Sequence, residues 1–148
     1  MQIEFRAMDA TRPPASALLA AMVDEMNELY GAPPPRATAA DFAAPHGTFL
    51  VGFEDDEPVC GGGLKRLPDG AAEIKRMYVV PAARRRGLAR ALLGALEDAA
   101  RARGYAVVRL DTGARQPHAQ ALYEASGYAP IGNFNANPMA AFWGEKRL

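Results

Sequence analysis

The stretch Tyr78-Val79-Val80-Pro81-Ala82-Ala83-Arg84-Arg85-Arg86-Gly87-Leu88-Ala89-Arg90 decides how the chain is read. It joins an apolar run to an amphipathic one, so it reads as a strand turning into a helix N-terminus. The first turn of a helix leaves several backbone N–H groups without partners, and the macrodipole adds positive potential there. Arg84, Arg85 and Arg86 are unfavourable at that end unless an anion joins them. A pyrophosphate would accept the N–H groups and pair with the guanidinium groups, and Gly87 would let the backbone come close. The bland alternative is a solvated basic turn, but the strand-loop-helix context favours an anion site. Neither G-x-G-x-x-G nor a glycine-lysine-serine/threonine triplet occurs, which excludes the dinucleotide fingerprint and the P-loop.

Downstream, Leu88, Leu92, Leu93, Leu96 and Ala100 share one helical face, which predicts a helix over Leu88–Arg103 stopped by Gly104. Tyr105–Asp111 reads as an apolar, central strand. Pro117–Ser126 reads as a shorter helix with proline in its first turn and Gly127 after its end. Residues 128–132 and 139–148 read as closing strands. Upstream, residues 2–8 read as a strand and Ala15–Tyr30 as a helix, with Leu18, Leu19, Met22, Val23, Met26 and Leu29 at helical spacing. Pro33-Pro34-Pro35 is a stiff connection. Thr48–Glu54, Val59–Leu67 and Ala72–Val80 form an antiparallel meander, separated by segments rich in turn formers. Gly61-Gly62-Gly63 inside the second of these strands marks a bulge or a close backbone contact. The order β-α-β-β-β-α-β-α-β-β predicts a mixed sheet flanked by helices in a single domain spanning residues 1–148.

The 148 residues carry 17 basic and 17 acidic side chains, so nothing pulls the whole chain toward nucleic acid or an anionic membrane. The single cysteine, Cys60, excludes an internal disulfide and a multi-cysteine metal site, and a buried apolar role is expected for it. His46 and His118 lack metal-ligand spacing, so no metal is expected. No apolar stretch approaches the roughly 20 residues that span a bilayer, and a soluble, cytoplasmic protein is expected.

The pattern Arg84-x-x-Gly87-x-Ala89, after a strand and a proline, resembles the signature of the Gcn5-related N-acetyltransferase (GNAT) superfamily. Glu73-Ile74-Lys75-Arg76-Met77-Tyr78-Val79 is similar to that family's fourth strand. Gln116-x-x-Ala119-x-x-Leu122-Tyr123-Glu124-x-x-Gly127-Tyr128 is similar to its fourth-helix motif. The resemblance implies an α/β (α+β) fold with a mostly antiparallel sheet of about seven strands, splayed between the fourth and fifth. It implies acetyl-CoA as co-substrate, with pantetheine along the backbone of Met77, Tyr78 and Val79. The pyrophosphate would then lie on the turn from Arg84 through Arg85, Arg86, Gly87, Leu88 and Ala89 to Arg90. Gln116 stands where the family often has Asn contacting the cofactor arm; its longer side chain is a departure.

Acetyl transfer needs a neutral amine, and an alkyl ammonium has a pKa of about 10.4, so a proton must leave. Glu73 is the candidate base, because it is polar in a central strand and matches the family's catalytic glutamate. The alternative is a structural ion pair with Lys75 or Arg76. Strand alternation puts Glu73, Lys75 and Met77 on one face and Ile74, Arg76 and Tyr78 on the other. Tyr123 is the candidate acid for the departing thiolate, with a core tyrosine as the alternative. Asp111 either binds substrate or caps its loop. Asp24, Glu25 and Glu28 either draw a cationic amine to the cleft or form a solvated face. Phe134, Phe142 and Trp143 either line the acceptor pocket or serve core and homodimer contacts. A small primary amine, acetylated by direct attack in a ternary complex, is the expected acceptor, with a protein lysine or N-terminus second. A non-catalytic acyl-CoA-binding module and a nucleic-acid binder are the rivals from other classes.

Overall fold

A computed structural model describes residues 2–35 and 37–148. The elements run β1 (Glu4–Ala7), α1 (Ala15–Tyr30), a 3-10 helix (Ala39–Phe42), β2 (Thr48–Glu54), β3 (Glu57–Arg66) and β4 (Ala72–Val79). A 3-10 turn (Pro81–Ala83) then leads to α2 (Leu88–Ala102), β5 (Val107–Gly113), α3 (Pro117–Ala125), β6 (Ala129–Pro130) and β7 (Ala140–Arg147). The seven strands form one sheet in the order β1-β2-β3-β4-β5-β7-β6. Every pair is antiparallel except β4 with β5, whose parallel alignment needs the α2 crossover. The mixed sheet, the meander and the central β5 are as the sequence predicts. No helix among the described residues is long and apolar enough to cross a membrane.

Several strand ends differ from expectation, two of them for evident local reasons. β5 begins at Val107 rather than Tyr105, because the Tyr105 N–H caps α2 at the Ala100 carbonyl, 3.1 Å away. β6 is confined to Ala129–Pro130, because the Tyr128 N–H closes α3 on the Tyr123 carbonyl at 3.1 Å.

Two clusters cover the two faces of the sheet. Under α2, Leu88, Leu92, Leu93, Leu96 and Ala100 meet Leu64, Ile74, Val108 and Leu110. Under α1 and the first 3-10 helix, Leu18 and Phe42 meet Phe49, Val51 and Phe53. The glycine run of β3 lies between them. A Cβ on Gly62 would meet Leu96 Cδ1 at 2.9 Å, whereas one on Gly63 would meet Phe42 Cε1 at 2.3 Å. Helices therefore press on both faces at successive residues, and no side chain fits. The single buried acid of α2, Glu97, accepts from Tyr128 Oη at 2.7 Å and from Lys146 Nζ at 3.1 Å, which ties the helix to β7.

The irregularity expected near the glycines falls opposite them, on β4. Gly61 aligns with Tyr78 and Gly63 with Lys75, so β4 carries one extra residue around Arg76. Arg76 adopts φ +62°, a conformation that disfavours non-glycine residues by roughly 1–2 kcal/mol. The bulge resets the alternation and corrects the expected faces. Met77 joins Ile74 on the α2 side, while Arg76 reaches Met22 and the Pro35 carbonyl on the α1 side. β4 and β5 pair only at Ala72↔Val108 and Glu73↔Arg109, and a cleft opens beyond that point.

Gly63→Ala should lower stability by about 1–3 kcal/mol, because Phe42 is buried and must shift. Urea denaturation at constant m-value would measure the loss, and an unchanged midpoint would contradict the close packing of Phe42 on β3.

Candidate active site

Past the point where β4 parts from β5, β4 ends in the elbow that leads to α2. After the turn at Pro81–Ala83 the backbone enters the left-handed region at Arg85 (φ +64°) and at Gly87 (φ +80°). A Cβ on Gly87 would meet nothing within 4 Å, so the glycine serves the turn and leaves its outer side open. The first bond of α2 runs from the Ala91 N–H to the Gly87 carbonyl at 3.1 Å. No side chain caps the helix, and the amides from Arg85 to Arg90 have no acceptor among the described residues. Leu88, fully buried, anchors this end of the helix.

The arginines divide into two sets. Arg84 grips both oxygens of Glu25 at 2.8 and 2.9 Å, donates from Nε to the Val79 carbonyl at 2.9 Å, and lies over the Tyr78 ring. Arg86 pairs with Glu54. These two therefore neutralise protein acids and shape the loop. Arg85 and Arg90 are exposed and make no ion pair among the described residues. The Glu25 contact also bears on the two roles left open for the acids of α1. Its cleft-lining residues are Met22 and Met26; Asp24, Glu25 and Glu28 lie elsewhere on the helix.

Deeper in the cleft, Tyr123 from α3 is 7% exposed and directs its hydroxyl at Met77 Sδ, 3.7 Å away. Burial, aided by the charge of Asp111, holds its pKa well above the ordinary phenol value, so it stays protonated. Gln116 begins α3 and accepts at Oε1 from Tyr30 Oη at 3.2 Å, which links it to the end of α1. Tyr30 Oη also accepts the Arg115 N–H at 3.2 Å.

The other wall holds the carboxylates. Glu73 is 2% exposed and is bonded by Asn135 Nδ2 at 2.8 Å and Lys75 Nζ at 3.4 Å. It therefore lies behind the wall, with Lys75 rather than Arg76 as its cation. Asp111 lines the cleft, and its Oδ2 accepts from Asn135 at 2.6 Å and Asn137 at 3.1 Å. Trp143 Nε1 donates to Asn135 Oδ1 at 3.1 Å and so orients that amide. Phe134 lies beside Arg109, Phe142 is core, and neither lines the cleft. The sequence reading missed Asn135 and Asn137; their alternation with Asn133 in a short loop was the available signal. Cys60 is fully buried, which pushes its thiol up to about 11, and His118 is exposed.

The sequence matches the acetyltransferase (GNAT) family over residues 15–128. It is 38% identical over 110 residues to the IAA acetyltransferase of Azospirillum brasilense, covering 72% of this chain and 71% of that protein. Its fold superposes on a Klebsiella pneumoniae protein assigned to the acyl-CoA N-acyltransferases with a TM-score of 0.81, 28% identity and coverage of 99% and 98%. The PaiA N-acetyltransferase of Thermoplasma acidophilum, solved in complex with coenzyme A, shares the fold at a TM-score of 0.73 and 16% identity over the whole of both chains. A splayed mixed sheet with an uncapped elbow, joined to these matches, places the chain in the GNAT acetyltransferase family as an acyl-CoA-dependent N-acyltransferase.

Proposed function

We propose that this enzyme transfers the acetyl group of acetyl-CoA to the primary amine of a small molecule, by direct attack within a ternary complex. The observation that carries the reading is the run of amides from Arg85 to Arg90 without acceptors among the described residues, at the end of β4 that is no longer paired to β5. A diphosphate accepts those N–H groups, and exposed Arg85 and Arg90 add charge beside it. The pantetheine arm then follows the unpaired edge of β4 at Met77, Tyr78 and Val79; the Val79 carbonyl is already taken by Arg84. Gln116 faces the arm from α3. The thioester comes to rest near Tyr123, and a strand amide near Met77 polarises its carbonyl.

The acceptor enters from the opposite end, between the Pro34-Pro35 loop and the loop carrying Asn137 and Met139. Loops on both sides favour a small amine over a protein lysine or N-terminus. Asp111 meets the ammonium at the wall, and Glu73 behind it takes the proton through water. The amine nitrogen attacks the thioester carbon, the tetrahedral intermediate collapses, and the C–S bond breaks. Tyr123 protonates the departing thiolate and recovers its proton from the acetylated ammonium by way of solvent.

Gly87→Asp should weaken acetyl-CoA binding roughly 100-fold and leave pantetheine alone unaffected, since the added carboxylate repels only the diphosphate. Titration calorimetry with both ligands would decide, and equal affinity in native protein and variant would refute the elbow as the diphosphate site.

Tyr123→Phe should lower kcat about 100-fold at nearly constant KM for acetyl-CoA. Because burial raises the phenol's pKa, its proton stays bound as pH rises. The native kcat/KM should therefore show no loss from ionisation of the phenol below about pH 10. Thiol release from acetyl-CoA across an amine panel reads both effects. Cofactor binding without turnover on any amine would favour a regulatory acyl-CoA-binding module.

A further inference from the structure

Arg76 is a buried cation that makes no ion pair among the described residues; Asp111 and Glu73 favour its charge only from a distance. It is 9% exposed and lines the cleft, yet its guanidinium bonds only the Pro35 carbonyl and, at 4.0 Å, Met22 Sδ. Among the described residues no carboxylate reaches it within ion-pair distance, because Glu73 is engaged by Lys75 and Asn135. A buried guanidinium served only by neutral groups is costly to keep. The backbone adds strain at the same residue, with φ +62° at the bulge, where glycine would be easier. Across the cleft, both bonds to Asp111 fall on Oδ2, which leaves Oδ1 without a protein donor among the described residues. The acceptor end thus presents one positive group on β4 without a direct ion-pair partner among the described residues and one available carboxylate oxygen on β5.

We propose that the acceptor is an amine that also carries a carboxylate, an amino acid or close analogue, with its carboxylate on Arg76 and its ammonium on Asp111. A single buried guanidinium matches a planar monoanion better than a doubly charged phosphate. The inference rests on the acetyl-transfer reading and narrows its substrate. An amine lacking the carboxylate leaves Arg76 buried and unanswered, so discrimination is large.

The test measures acetyl-CoA turnover on the standard L-amino acids and on their decarboxylated amines and primary amides, for example L-methionine against 3-(methylthio)propylamine and L-methioninamide. In native enzyme at least one amino acid should exceed its matched amine roughly 100-fold in kcat/KM. R76Q should reduce that ratio to within a few fold, chiefly by raising KM for the amino acid, while the matched amine changes little. R76K should recover part of the preference. Unchanged acetyl-CoA affinity in R76Q guards against a folding defect. An independent readout on native protein is calorimetry of the CoA complex with N-acetyl-amino acids, which should bind more tightly than the corresponding N-acetylamines. Equal turnover with and without the carboxylate overturns the inference and leaves the acetyl-transfer reading standing. CoA binding with no turnover on any compound and no binding of the N-acetyl-amino acids also overturns the inference, and it counts against acetyl transfer in favour of an acyl-CoA-binding module. Failure to bind CoA at all sinks the acetyl-transfer reading and this inference with it.

Discussion

Parallel strands β4 and β5 part after the pairing at Glu73 and Arg109, and the rest of the site follows from that parting. Sheet edges inside a protein normally find a partner, since buried N–H and C=O groups are costly to leave unmet. Here the bulge at Arg76 bends β4 away while β5 stays paired to β7 through Gly113. The gap is kept open from below by α2, whose Leu92 and Leu96 are wholly buried, and by Tyr123 of α3. An extended ligand with its own amides is the natural partner for such an edge, which suits the pantetheine arm.

The elbow separates two tasks that the sequence runs together. Its amides are left open, whereas two of its arginines are spent on protein acids. Arg84 joins three parts of the structure, because it holds the Val79 carbonyl of β4, Glu25 of α1 and its own loop. An adjoining stripe of α1 supplies Met22 and Met26 to the cleft. The helix that borders the proposed acceptor end is thereby fixed to the loop that borders the proposed cofactor end. Such pairs at a half-exposed surface add little stability individually. Their consequence is geometric: they hold both ends of the cleft in one register.

Features governed by local chemistry were legible in the sequence. The helix Ala15–Tyr30 and the strand Thr48–Glu54 have the expected ends, because periodicity and the residues after them fix both. The family fold was also legible, since three motifs occur in order. The faces of β4 were not. The bulge depends on how β4 aligns with the glycines of β3, which is a relation between strands, and it moved Met77 and Arg76 to opposite sides from those expected. The acids of α1 were left open for a related reason: periodicity gives a helix a buried stripe but does not say which flank faces a cleft. Asn135 and Asn137 escaped notice because polar loop residues usually face water.

Asn135 also explains why the acidic wall and its covering loop act as one unit. Its Nδ2 donates to Glu73 and to Asp111, while its Oδ1 accepts from Trp143 Nε1 and from the Asn137 N–H at 3.2 Å. Donors on one side and acceptors on the other leave a single orientation for the amide. Removing charge or shape from Glu73 disturbs both the proposed proton path and the placement of Asn137, which lines the cleft. A loss of activity at Glu73 therefore mixes chemistry with loop geometry. Tyr123 is different: its hydroxyl touches only Met77 Sδ, a weak acceptor, and supports no loop. Its hydroxyl oxygen can be deleted with little structural consequence, so kinetics at Tyr123 report on proton donation, whereas kinetics at Glu73 report on the whole wall.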